Sequence, residues 1–173
     1  MLLIEPAEAY EREIEAYRQA FLDIEGSMDG CGSLRRCATG AEWIAKSLAG
    51  KDPAHVEPGK VPATQYIYVR EEDGRVVGML QIRHRFNEYL EKYAGHIGYS
   101  VRPYERRKGY ATAMLKEALP RCRALGLTDV LITCSTDNEG SRRTILNNGG
   151  VYESTVHEPD ENEDLERYWI HLD

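Results

Sequence analysis

The chain alternates between stretches where apolar residues recur every third or fourth position and stretches where they alternate or run unbroken. From Pro6 to Phe21 the helical period holds, with Tyr10, Ile14, Tyr17 and Phe21 on one face. A glycine-rich break, "EGSMDGCGS", follows. Thr39 and Glu42 then have capping-box spacing and open a short helix carrying Trp43, Ile44 and Leu48, with Gly50 as its stop. "KDPAHVEPGKVPA" has no period and reads as a loop. "TQYIYV" and "VVGMLQIRHRF" are β-rich runs joined through Asp73-Gly74, a tight-turn signal, so they predict a hairpin.

After "NEYLEKYAG" a third strand, "HIGYSV", ends at Arg102-Pro103. A helix starts near Gly109 and places Ala111, Met114, Leu115, Ala118, Leu119 and Cys122 on one stripe, with Pro120 expected to kink or shorten it. "DVLITCS" is an apolar strand of the doubly buried kind. The short helix "EGSRRTILNN", the segment "GGVYESTV", an acidic loop and the strand "RYWIHL" complete the chain. Strand 96–101, helix 109–125 and strand 129–135 form a βαβ unit, whose strands are expected to be parallel neighbours. The earlier strands form an antiparallel meander. The fold class is therefore α+β: a mixed, mostly antiparallel central sheet with a parallel βαβ unit and flanking helices, in one domain over 1–173.

Composition narrows the function classes. The 173 residues carry a net charge of −7 and a pI near 5.3, which argues against general nucleic-acid binding. No apolar run approaches the length of a membrane span, and the N-terminus turns acidic too soon for a signal peptide, so no membrane role and a cytoplasmic location are expected. Cys31, Cys37, Cys122 and Cys134 lack zinc-ligand spacing; reduced thiols and no metal are expected.

Against this acidic background Arg106, Arg107 and Lys108 run straight into a helix start, where the helix dipole disfavours cations. The conflict disappears if an anion sits on that turn, where free backbone N–H groups and Gly109 allow close approach. The turn is neither a Walker loop nor a dinucleotide fingerprint.

"HIGYSVRPYERRKGYATAML" resembles the acetyl-CoA signature of the GNAT N-acetyltransferase superfamily, whose central motif is (Arg/Gln)-x-x-Gly-x-(Gly/Ala), here Arg106 to Ala111. "LITCSTDNEGSRRTILNNGG" is similar to the family's second half, and the two together cover about residues 96–150. The resemblance implies the GNAT fold, acetyl-CoA as co-substrate and no metal. It implies that Arg106, Arg107, Lys108, Gly109, Tyr110, Ala111 and Thr112 hold the pyrophosphate. Tyr99, Ser100 and Val101 would then meet the pantetheine arm and acetyl carbonyl. Asn138 and Ser141 match the downstream contacts, and Arg142 or Arg143 is placed to reach a phosphate.

Direct transfer to a primary amine requires a neutral amine, and deprotonating a lysine-like amine at pH 7 costs about 4.6 kcal/mol. His96 sits near the position where many relatives carry a glutamate and is the first candidate base; a histidine satisfied by the neighbouring strand is the competing reading. Glu88 and Tyr89 are the other candidates. Where many relatives place a proton-donating tyrosine, seven residues after the Asn, this chain has Ile145, so either another hydroxyl, Tyr99 or Tyr152, protonates the thiolate or none does. The "HEPDENEDLER" loop holds six carboxylates that suit a cationic small-molecule amine or only solubility, while Arg83 and Arg85 suit an acceptor carboxylate. A non-catalytic coenzyme A module, an interaction protein using the acidic face, and transfer of another acyl group or to a hydroxyl are the alternatives. A homodimer is left open.

Overall fold

The computed structural model describes residues 1–24 and 26–172. Eleven elements matter: β1 (Leu2–Ile4), α1 (Glu11–Leu22), α2 (Gly40–Ala49), β2 (Ala63–Arg70), β3 (Arg75–Arg83), β4 (Ile97–Val101), α3 (Tyr110–Ala124), β5 (Asp129–Ser135), α4 (Glu139–Leu146), β6 (Val151–Glu158) and β7 (Glu163–His171). The expected helices and strands are present. Thr39 Oγ1 accepts the Glu42 N–H at 3.1 Å, as the capping spacing predicts. α3 runs through Pro120 to Ala124 without stopping. Complete burial of Leu115, Ala118 and Cys122 against the sheet offsets the ladder donor lost at Pro120.

The strands form two antiparallel sheets, β1-β2-β3-β4 and β5-β7-β6. Alternation along β2 feeds two cores. Tyr66 and Tyr68 join α3 and the second sheet, whereas Ile67 and Val69 pack on Tyr17, Phe21, Trp43 and Ile44 of α1 and α2. The mixed α+β architecture matches the sequence expectation; the parallel ladder across the βαβ unit does not form among the described residues. β4 and β5 touch only near their start, through an isolated bridge between Gly95 and Ile132 and a bond from His96 N–H to Leu131 O of 2.7 Å. Beyond it each is an open edge of its own sheet.

His96 explains the break. Its Nδ1 accepts the Leu131 N–H at 3.0 Å, so a side chain takes the place of a ladder carbonyl. Gly95, at φ 67°, turns the chain there, and a Cβ at that position would lie 2.3 Å from Leu131 O.

The carboxylate-rich segment is also less of a loop than the sequence suggested. β6 continues through Glu158 and β7 resumes at Glu163, which leaves a four-residue turn with Asn162 at φ 52°. Pairing with the buried Tyr168 and Ile170 strand overrides the low β-propensity of the acids. All four cysteines are buried free thiols. No helix among the described residues is long and apolar enough to cross a membrane.

Candidate active site

Where β4 and β5 part, a cleft of about 940 Å³ opens between them. Its floor is the end of β4 (Ile97 to Val101), its far wall the end of β5 (Thr133 to Ser135), and its ends the turn before α3 and the first turns of α4.

The direction of the β4 backbone follows from its register. Arg83 N–H bonds His96 O and Arg102 N–H bonds Val77 O, both at 2.8 Å, and Gly98 and Ser100 lie opposite Gln81 and Met79. Even-numbered β4 residues therefore bond to β3, and the N–H and C=O groups of Ile97, Tyr99 and Val101 turn outward to the cleft. Apart from Val101 O, which Arg106 Nε bonds, this is an unpaired strand edge facing a cavity.

The turn entering α3 is pinned from below. Glu105, 4% exposed, is bonded by Arg70 at 3.0 and 3.3 Å, by Arg75 at 3.1 Å and by Lys108 at 2.7 Å. Those cations, Lys108 first, hold its carboxyl at about 2. Arg107 (φ 63°) and Gly109 (φ 82°) both adopt the left-handed region, which costs a non-glycine residue about 1–2 kcal/mol. A Cβ on Gly109 would meet nothing within 4 Å, and the residue lines the cleft. The N–H groups of Tyr110, Ala111 and Thr112 donate to no acceptor among the described residues. Together with the dipole of a fifteen-residue helix they form an anion cradle.

The sequence candidates divide. Tyr99, Ser100, Val101, Arg106, Arg107, Gly109, Tyr110, Ala111, Thr112, Asn138 and Ser141 all line the cleft. Arg106 Nε bonds Val101 O at 3.2 Å while its guanidinium lies 5.6 Å from the centre of the Phe21 ring. Asn138 caps α4, its Oδ1 accepting the Ser141 N–H at 3.0 Å. Tyr99 Oη lies 2.7 Å from Ser141 Oγ, bracing β4 to α4 across the cleft, and burial raises its pKa. Ser100 Oγ contacts the buried Tyr17 hydroxyl at 3.0 Å and the Cys31 thiol at 3.3 Å; burial pushes that thiol up to about 12, which makes it inert.

Lys108 and Arg142 lie outside the cleft lining. Lys108 serves Glu105, and Arg142 makes a bidentate pair with Glu166 at 2.7 and 2.9 Å; Arg143 is the helix cation that lines the cleft. His96 and Glu88 also fall outside it. His96 is 6% exposed, its ring 4.0 Å from that of Phe86, and burial followed by the charge of Arg83 lowers its pKa to about 4. The satisfied-histidine reading describes it. Glu88 is exposed. Tyr152, 52% exposed, bonds Thr155 and is not in the lining.

Sequence reasoning missed Asp29, Glu105 and Thr133 to Ser135 as lining residues. The last group had a usable signal, since ligands in open sheets gather at the carboxyl ends of strands. Asp29 had none: it reaches the site because Gly30 crosses β4 so closely that a Cβ there would lie 2.2 Å from Gly98 O. No group of His, Cys, Asp and Glu among the described residues is arranged to hold a metal ion.

The fold has solved counterparts. An acetyltransferase of the GNAT family from Streptococcus pneumoniae superposes with TM-score 0.67 at 16% identity, over 99% of each chain. A Salmonella typhimurium protein described as a putative acetyltransferase, solved with its cofactor acetyl-CoA, gives 0.68 at 17%, over 99% of this chain and 94% of that one. A spermidine N-acetyltransferase variant of Vibrio cholerae gives 0.64 at 13%, over 99% and 95%. No curated protein matches the sequence. The profile of the Acetyltransferase (GNAT) family matches residues 40–149, the segment that builds β4, the α3 turn and α4, and the chain belongs to that family of acetyltransferases.

Proposed function

We propose that the protein transfers the acetyl group of acetyl-CoA directly to a primary amine of a small acceptor. One observation carries the reading: the open β4 edge and the unbonded N–H groups of the α3 turn face the same 940 Å³ cleft. The residues present fit the cofactor. The cradle before α3 suits a pyrophosphate, with Arg106, Arg107 and Arg143 adding charge, and Gly109 leaves the space a phosphate needs. An extended amide-bearing arm suits the outward N–H and C=O groups of Tyr99 and Val101, in the manner of strand addition. When bound, acetyl-CoA supplies an activated acyl carbon and a thiolate leaving group.

The chain's own part is positioning and proton handling. Outward β4 N–H groups are the donors for the carbonyl oxygen as it gains charge. Tyr99, bonded to Ser141, is the cleft hydroxyl placed to donate a hydrogen bond to a departing thiolate; burial raises its pKa, which keeps it protonated and makes it a hydrogen-bond donor rather than a strong acid. Ile145 is fully buried in the core, and β4 brings the Tyr99 phenol to α4, beside that helix's own hydroxyls, Ser141 and Thr144. The departing ammonium proton finds carboxylates at the end of the cleft lined by Asp29, Glu158, Glu161 and Glu163.

Calorimetric titration of acetyl-CoA into the wild type and into Gly109→Asp tests the reading, with thiol release measured across a panel of amines. Micromolar binding that the aspartate abolishes, followed by amine-dependent release, is expected. Absence of binding by the wild type would refute it.

A further inference from the structure

Arg83 and Arg85 share one face of the strand that the sequence predicts, and the fold separates their roles. Arg85 is exposed and lines no part of the cleft. Arg83 is half-buried and lines the cleft; it also lines a second cavity, of about 680 Å³, between β2, β3 and the end of α2. It is the residue common to the two linings, so its side chain stands between the two spaces.

The donors of Arg83 are only partly used. A guanidinium carries five N–H groups. Nη1 spends its own on the carbonyls of Ala94 and Gly95, at 3.1 and 3.0 Å. Nε and Nη2 meet no acceptor among the described residues. Neither is sealed off, because the fully buried side-chain nitrogen left without a partner there is Arg121 Nε. Nε–H and one Nη2–H lie parallel along one edge of the planar group, the fork that meets both oxygens of a carboxylate.

The fold supplies no counter-charge in contact with it. Arg70, Arg102, Arg142 and Arg167, also withdrawn from solvent, each pair with a glutamate. Arg83 makes no ion pair among the described residues; burial lowers its pKa, and Asp29 opposes that from beyond contact. Arg18 and Arg121 likewise bond carbonyls rather than carboxylates, but they line neither cavity.

Position is a second, independent observation. A Cβ on Gly98 would lie 3.3 Å from Arg83 Nη2, so the guanidinium rests against β4 one residue before Tyr99, where the outward strand edge meets the cleft.

We infer that Arg83 binds the carboxylate of the acceptor, and that the acceptor is an amino acid whose amine lies one or two carbons from that carboxylate. This rests on the acetyl-transfer reading and narrows its acceptor from any small amine to an amino carboxylate. The short spacing follows from the place of the guanidinium beside the strand edge that would present the thioester. A wholly cationic acceptor would meet Arg83 as a like charge.

Thiol release from acetyl-CoA is measured with the L-α-amino acids and β-alanine, then, for each one turned over, with its carboxamide and its decarboxylated amine. The variants are Arg83→Gln and Arg83→Lys, with melting temperature and coenzyme A affinity read alongside. Wild-type kcat/KM is expected to be at least about tenfold higher for the acid than for the amide, the size of one charge-assisted pair. Arg83→Gln should raise KM for the acid by a similar factor and leave the amide within about twofold, which abolishes the preference. Arg83→Lys should keep part of it, as a charge without the fork. Coenzyme A affinity should be unchanged in both.

Losing the bonds to Ala94 and Gly95 should lower the stability of Arg83→Gln, but a purely structural role would depress acid and amide alike. That equal fall would overturn the inference. Should Arg83→Gln fail to fold, the wild-type preference and Arg83→Lys carry the test. A wild type that acetylates amides or plain amines as well as the acids would also overturn it, while upholding the transfer reading. No thiol release with any amine, although acetyl-CoA binds, would refute both together.

Discussion

His96 shows how a single residue changes meaning between sequence and structure. On a strand beside a candidate cofactor site it reads as a base. In the fold it accepts the Leu131 N–H and closes the seam between two sheets. That role requires a neutral ring, and its pKa is depressed to about 4 by burial and Arg83. The unfolded chain, with an ordinary histidine near 6.5, binds the proton first as pH falls. The stability His96 contributes is therefore fully present above pH 6.5 and is lost between about 6.5 and 4, by about 3 kcal/mol at most. Replacing His96 with Ala should cost about 1–3 kcal/mol at pH 7.5, for the Leu131 donor left unpaired, and should flatten that part of the pH profile. Urea unfolding at pH 7.5 and 5 measures both. Unchanged stability together with loss of the acidic limb of kcat/KM would return His96 to catalysis.

At the scale of elements, what was legible in the sequence was what local periodicity encodes. The α3 stripe, the Asp73-Gly74 hairpin and the Thr39 cap needed only near neighbours, and they stand where the pattern put them. Partner choice was not legible. Whether β4 ladders with β5 depends on Gly95 and His96 meeting Leu131 across 35 residues, and no local pattern states that. The basic run before α3 was half legible. Charge pointed to the turn, but the sequence could not show that Lys108 folds back onto Glu105 while Arg107 lines the cleft. The two neighbours therefore predict opposite phenotypes. Arg107→Ala should weaken coenzyme A binding several-fold, and more at low salt, with little effect on unfolding. Lys108→Ala should affect cofactor affinity less and reduce stability by about 1 kcal/mol through Glu105. Equal losses of affinity would show that the turn acts as an undivided positive patch.

At the scale of the whole molecule, two sheets share a core yet leave their facing edges open, and a bound cofactor would complete what the strands leave unfinished. Gly98 and Ser100 already direct their amides to β3, whereas Tyr99 and Val101 direct theirs into the cleft. Saturating coenzyme A should slow hydrogen exchange at Tyr99 and Val101 and leave Gly98 and Ser100 nearly as they were, apart from the overall stabilisation. That stabilisation is about 2.7 kcal/mol at a hundredfold excess over Kd, and it raises protection wherever exchange needs global unfolding. The local signature is the alternation. Exchange resolved by residue separates it from the global gain, because a general tightening would protect the even and odd positions alike. If protection rises at Tyr110 to Thr112 and no alternation develops along β4, the phosphates are bound as proposed but the arm does not add to the strand. The oxyanion donors would then have to be sought on the β5 side, at Thr133 to Ser135.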